Sequence, residues 1–265
     1  MQRRRFYAAP EAIGESAIHL SRDESHHLAR VLRLHAGDEA FAFDGCGREY
    51  RCRVAASDAH QARLEVIEAL TDRVESPLDL TLGQALAKGE KFDLIVQKAT
   101  ELGVRRIAPL VTENTDVRLS DERAEKRAER WRRIALEALK QSSGRRLVEI
   151  PQPMALVDFL DSITPGKGLR TPTTRAADER PAPPALLVFS ERGGASINEA
   201  LGQTSHAQPV FACVGPEGGW SEVEIEGFVA RGASFVTLGP RTLRAETAAL
   251  VAVALIQHRL GDLSR

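Results

Sequence analysis

A chain of 265 residues that is 43% apolar, 28% charged and only 5% aromatic has the balance of a folded, water-soluble protein and not of a disordered one. A formal net charge of −1 excludes a protein that coats nucleic acid over its whole surface and leaves room only for a local basic face. The longest wholly apolar run, residues 248–256, is far shorter than the roughly 20 residues that cross a bilayer. The start MQRRRFYAAPE lacks the apolar core of a signal peptide, and Cys46, Cys52 and Cys213 lack the paired spacing of a zinc site. A cytoplasmic protein with no membrane and no metal is expected.

In chain order, residues up to about 71 read as a small β-rich unit. Apolar residues alternate over 39–44 and 48–55 around the turn Gly45-Cys46-Gly47, which predicts a hairpin. A helix over 24–33 interrupts it, with Asp23 as N-cap and Leu28, Val31 and Leu32 on one face. Ser76-Pro77 then marks a boundary, so the domains are read as 1–72 and 73–265. From Leu80 onward strands and helices alternate: a strand at 80–86, a helix at 90–102 stopped by Gly103, a strand at 107–112, a basic helix at 123–141, strands at 186–190 and 210–215, a last strand at 235–239 and a helix from Thr247 to about Leu260. Such alternation predicts an α/β domain with a mostly parallel sheet covered on both faces. The Pro/Thr/Arg/Ala-rich segment 164–184 has no periodicity and reads as a flexible surface insertion.

Two loops carry chemical promise. Gly215-Pro216-Glu217-Gly218-Gly219-Trp220 follows a strand and precedes Ser221-Glu222-Val223-Glu224, which has capping-box form. A strand, a glycine turn and a helix start place free N–H groups at the sheet end where α/β proteins hold ligands; a plain βα turn explains the glycines equally well. The second loop runs from Leu238 and Gly239 through Arg241, Thr242, Leu243, Arg244, Ala245 and Glu246 to Thr247. Its arginines and glutamate either form a structural pair or face a ligand. Neither a GxGxxG nor a GxxxxGK[ST] pattern is present, which disfavours a nucleotide-dependent oxidoreductase.

CVGPEGGWSEVEIE and LGPRTLRAETAAL resemble the two C-terminal signatures of the 16S rRNA uridine-N3 methyltransferase family, a branch of the trefoil-knotted (SPOUT) methyltransferases. HHLARVLRLHAGD from His26, KGEKFDLIVQKATELGV from Lys88 and ALKQSSGR from Ala138 extend the resemblance over nearly the whole chain. The resemblance implies an N-terminal PUA-like β-barrel, a knotted C-terminal domain, a homodimer, S-adenosylmethionine as cofactor, and 16S rRNA or the small ribosomal subunit as partner. It implies cofactor contacts from Glu191, Gly215, Pro216, Glu217, Gly218, Gly219, Leu238, Gly239, Leu243, Arg244 and Thr247. Asn114 stands where the family pattern has arginine, and Ala245 where threonine is commoner. The rival readings are a non-catalytic assembly factor and a knotted enzyme acting on tRNA.

Methylation at uridine N3 needs the acceptor lone pair aligned with the methyl donor and the N3 proton removed, so a base or an anion stabiliser is expected. Arg244 and Glu246 are the expected catalytic residues: the arginine for charge on the uracil edge or to orient Glu246, the glutamate, or else Glu217, for the proton, with loop N–H groups as the alternative partners of both carboxylates. RNA contacts are expected from Arg3, Arg5, His27, Arg30, Arg33 and Lys88. Residues 123–146, with nine Lys/Arg against three Glu, form the most basic stretch; a solvated face laced by Glu–Arg pairs is the alternative.

Overall fold

The structure, a computed structural model, describes residues 3–71, 75–115, 120–163, 184–202, 204–205 and 207–264. The expected insertion at 164–184 lies outside the described residues except for its last position. The chain forms two compact units, one of residues 1–75 and 136–147, the other of 76–135 and 148–265.

The first unit holds β1 (Arg5–Tyr7), β2 (Ala17–His19), α1 (Arg22–His26), β3 (Glu39–Phe43), β4 (Glu49–Ala56) and β5 (Arg63–Leu70). They form a mixed sheet in the order β1-β3-β4-β5-β2, with β1 parallel to β3 and the other pairs antiparallel. Phe6, Ile18, Leu28, Ala40, Ala42, Val54 and Leu64 build its core. The β3–β4 hairpin turns through Gly45 and Gly47, both at positive φ. Strand β3 departs from the expected alternation, since Ala40 to Phe43 are all buried.

The helix expected over 24–33 runs instead over 22–31 and is differently capped. Ser21, not Asp23, accepts from the Glu24 amide at 3.3 Å, and after His26 the chain makes a π-helical turn over His27–Val31, closed by Leu32 N–H to the His27 carbonyl at 2.9 Å. The extra residue in that turn rotates the chain. Leu28 is buried, while Val31 and Leu32 are 59% and 37% exposed.

The boundary expected at residue 72 also misses that 136–147 returns to the first unit. Buried charge explains the return. Glu49 accepts from Arg5 Nε at 2.6 Å and from Arg145 Nε at 3.0 Å, and all three side chains are 2% exposed. Arg5 also donates to the Leu139 and Gly144 carbonyls at 3.0 and 2.7 Å. Charges this deep persist only when paired and fully hydrogen-bonded.

In the second unit, β6 (Leu80–Ala85), α2 (Lys91–Glu101), β7 (Arg106–Val111), α3 (Asp121–Ser142, whose last turns belong to the first unit), β8 (Met154–Ala155), α4 (Leu156–Ser162), β9 (Ala185–Phe189), α5 (Ile197–Ala200), β10 (Val210–Val214), α6 (Glu222–Val229), β11 (Ser234–Val236) and α7 (Ala245–Leu260) follow in sequence. The sheet order is β11-β9-β10-β6-β7-β8, and every pairing is parallel. Alternate side chains enter two cores: Val210, Ala212 and Val214 join Phe92, Ile95, Val96, Ala249, Val253 and Ile256 on one face, while Phe211 and Cys213 join Phe159, Leu160, Trp220 and Phe228 on the other. Each large apolar side chain so buried contributes roughly 1.5–3 kcal/mol. Because β11 ends at Val236, Leu238 and Gly239 belong to the loop after it, not to the strand expected over 235–239.

Candidate active site

A cavity of about 520 Å³ opens at the carboxyl ends of β9, β10 and β11, closed on one side by the start of α7 and on another by Lys91 at the start of α2. Parallel strands deliver their following loops to this edge. Ser190 and Glu191 follow β9; Gly215, Pro216, Glu217, Gly219 and Trp220 follow β10; Thr237, Leu238, Gly239 and Arg241 to Arg244 connect β11 to α7, whose first residue Ala245 completes the wall.

The glycine loop is held from behind by Trp220, which is 3% exposed. Its indole N–H donates to the Phe189 carbonyl at 3.2 Å, and its ring meets Phe228 edge-on at 4.9 Å. A Cβ on Gly215 would stand 3.0 Å from that ring, so only glycine lets the strand end pass so closely. Gly219 has φ +73°, closes a turn onto the Pro216 carbonyl at 2.9 Å, and would set a Cβ 3.0 Å from Glu191 Oε1. Ser221 then caps α6 through a full capping box with Glu224.

Lys91 donates to the Glu217 carboxylate at the cavity mouth. That hydrogen bond and charge, joined by the more distant Lys88 and Arg244, hold the Glu217 carboxyl below the usual carboxylate range. Arg241 and Arg244 are exposed on the opposite loop, so three cations ring the opening.

Of the residues expected here, Glu191, Gly215, Pro216, Glu217, Gly219, Leu238, Gly239, Leu243 and Arg244 line the cavity. Gly218, Glu246 and Thr247 do not. Gly218 faces Asn114, whose Cβ is 3.1 Å from where a Gly218 Cβ would lie. Helical rotation removes the other two: Ala245 and Ala248, three residues apart, face the cavity, and the intervening positions turn away. The Glu246 Oε2 is buried with no hydrogen-bond partner among the described residues, and no ion pair joins Glu246 to Arg241 or Arg244 there. The structural Arg–Glu pair weighed from sequence is absent among them.

Lys91 and Ser190 also line the cavity and carried no expected role, while Trp220, Arg241 and Thr242 line it from within the two expected loops. Trp220 had a visible signal in its motif; Lys91 had only its place in KGEKFD. Asn114 gains an account: its side-chain amide donates to the Gly219 and Gly218 carbonyls at 3.0 and 3.4 Å, holding the glycine loop from outside. Next to it, the Glu113 amide donates to the Glu224 carboxylate at 2.8 Å.

The expected RNA contacts divide. Arg5 is corrected to a structural residue, 5% exposed and committed to Glu49. Arg3 is exposed with its guanidinium 4.8 Å from the Phe41 ring centre, Arg30 and Arg33 are exposed, and His27 is half-buried edge-on to Phe6. Lys88 is exposed in the loop between β6 and α2.

The family model described as an RNA methyltransferase domain matches residues 74–257, and that described as an RNA methyltransferase PUA domain matches residues 20–67. The chain is 33% identical to ribosomal RNA small subunit methyltransferase E of Synechocystis over 97% of this chain and 78% of that one. It is 30% identical to the protein of the same name from Bacillus subtilis, over 89% and 88% of the two chains. Among solved structures, ribosomal RNA small subunit methyltransferase E of Neisseria gonorrhoeae bound to S-adenosyl methionine superposes with a TM-score of 0.82 at 31% identity, covering 98% of this chain and 99% of that one. A methyltransferase of Legionella pneumophila with bound SAM gives 0.82 at 30%, covering 99% and 100%.

Proposed function

Since this chain belongs to the ribosomal RNA small subunit methyltransferase E family, we propose that it transfers a methyl group from S-adenosylmethionine to N3 of a uridine in 16S rRNA. The observation that carries the reading is the cavity at the carboxyl edge of the sheet, where the glycine loop and the Arg241–Arg244 loop converge. Its volume lies in the range of small-molecule sites, roughly 300–1,000 Å³. Bare backbone at Gly215 and Gly219, apolar Leu238 and Leu243, and the carboxylates of Glu191 and Glu217 fit a flat, partly apolar and cationic cofactor.

When bound, S-adenosylmethionine supplies an electrophilic methyl group on a sulfonium. Glu191 and Glu217 attract its positive charge, and the two loops exclude water from the methyl group's path. Arg244 and Lys91 donate toward the uracil carbonyl oxygens, where negative charge develops as the N3 proton passes to Glu217 and from it to solvent. Glu217 is the carboxylate in the field of these cations. The same cations keep it ionised and make it a weak base, so stabilisation of the imide anion contributes more than proton abstraction. Glu246 is turned from the cavity and acts, in this reading, through the α7 start that carries Arg244.

The reading extends to RNA contacts by Arg3, His27, Arg30, Arg33 and Lys88, and to a trefoil knot in the chain from β9 to α7. The pairing of β11 with β9 instead of β10 supports the knot. A homodimer is supported by half-exposed Leu250, Val251 and Ala254 and exposed Leu255 on α7. No helix among the described residues is long and apolar enough to cross a membrane, and a ribosomal substrate supports a cytoplasmic location.

The test is transfer from labelled S-adenosylmethionine to small subunits lacking their native modification, followed by nucleoside analysis. N3-methyluridine in 16S rRNA is the expected product; cofactor binding without transfer to any RNA would leave a non-catalytic assembly factor.

A further inference from the structure

Beside the cavity described above lies another, of about 290 Å³, and the start of α2 is the wall between them. Lys91 faces the first cavity, while Phe92 and Asp93 face the second, together with Arg127, Arg130 and Trp131 of α3. The floor is rigid: Phe92 and Trp131 are buried with ring centres 4.2 Å apart, and the Trp131 indole N–H donates to Asp93 Oδ1 at 3.0 Å.

The cations of α3 sort by their partners. Lys126 pairs with Glu122, Arg132 with Glu125 and the Ile150 carbonyl, and Arg130 with Asp93. Arg127 has no ion pair or hydrogen bond among the described residues, yet its side chain is half-buried in the cavity wall. A guanidinium that has lost part of its water without gaining a partner is poised for an anion. Of the two carboxylates in the wall, Asp93 is already engaged by Arg130 and Trp131, and Glu90 is exposed to solvent, where its field is screened. Lys88, exposed between β6 and α2, continues the positive charge from Arg127 toward the mouth of the first cavity, where Lys91 is paired with Glu217.

We infer that the second cavity is a phosphate subsite of the RNA substrate, in which Arg127 binds the phosphodiester of a nucleotide neighbouring the one methylated. The inference rests on the proposed function and names where the strand runs: from the methyl-transfer cavity across the start of α2 onto α3. Arg130 lends charge while its link to Asp93 keeps the wall in place.

The experiment measures the affinity of the full-length protein for small ribosomal subunits lacking the modification, as a function of salt, for wild type, Arg127→Gln, Arg127→Lys and Arg133→Gln. Arg133 is the control, exposed on the same helix, outside the cavity and without a partner among the described residues. Arg127→Gln is expected to weaken binding roughly tenfold. It is also expected to flatten the slope of log affinity against log salt by about 0.7–0.9. Arg127→Lys should keep the slope and Arg133→Gln should change neither; affinity for S-adenosylmethionine should be the same in all four. Wild-type methylation together with an Arg127→Gln protein indistinguishable from Arg133→Gln overturns the subsite alone. A wild type that neither binds nor methylates the subunits overturns the proposed function and the subsite with it.

Discussion

The ammonium of Lys91 at the first turn of α2 holds the carboxylate of Glu217 in the β10 loop, 126 residues away in sequence. This pair joins the two sides of the cavity mouth and sets the charge of the glycine loop that lines it.

Its pH signature has a definite sign. Glu217 has a depressed pKa, so its charge persists at pH values below the ordinary 4.5 and is lost only as pH falls through the lowered value. In Lys91→Met that value rises toward 4.5, held short of it by Lys88 and Arg244. The acid limb of the pH profile for cofactor binding should therefore move upward, and Lys91→Arg should restore it. An acid limb that stays in place in Lys91→Met would show that the pair does not govern Glu217.

Gly219 should not tolerate a side chain. At φ +73° an alanine costs about 1–3 kcal/mol, and its Cβ would press on Glu191 Oε1 at 3.0 Å. Gly219→Ala is expected to weaken S-adenosylmethionine binding measured by calorimetry, with a loss in thermal stability that reflects the backbone strain. Unchanged affinity would separate the glycine turn from cofactor binding.

Trp220 links the loop to the core. Trp220→Phe keeps the ring contact with Phe228 but leaves the Phe189 carbonyl without its donor, a loss of about 1–3 kcal/mol. Trp220→Ala adds a cavity and should cost about 3–5 kcal/mol in urea denaturation. Equal costs for the two variants would mean that the indole N–H matters and the packing does not.

In the first unit, Glu49→Gln takes from buried Arg5 and Arg145 the carboxylate they share. The expected loss is about 3–5 kcal/mol, whereas Glu49→Asp keeps the charge and should lose less. Similar stabilities for Glu49→Gln and wild type would refute the buried network as the tie that draws 136–147 into this unit.

Thiol labelling offers a simple check of burial. Cys46 is exposed, whereas burial pushes the Cys52 thiol up to about 12 and the Cys213 thiol higher still. Native protein should react rapidly at one cysteine and at all three only after unfolding.

Much of this molecule is written locally. The apolar run at 210–214 and the periodicity of 91–101 predict their elements because neighbours in sequence are neighbours on one face. The box from Ser221 to Glu224 and the glycines before it mark a strand-to-helix turn for the same reason. Strands β1 and β2 escaped, since three residues are too few for a period to register. The π-helical turn at His27–Val31 escaped because one inserted residue leaves the composition unchanged while rotating Val31 and Leu32 into solvent.

What tertiary structure alone decided is which charges meet. From sequence, Arg5 is one of three adjacent arginines suited to RNA; in the fold it is buried on Glu49, 44 residues away, and on the Gly144 carbonyl, 139 away. Asn114 reads as a departure from a pattern until its amide is seen on Gly219, 105 residues on. Local sequence encodes backbone geometry and the period of burial, because both depend on adjacent residues. The partner of a polar group depends on where distant segments pack, and the cost of leaving such a group unpaired is settled only once the whole chain has folded.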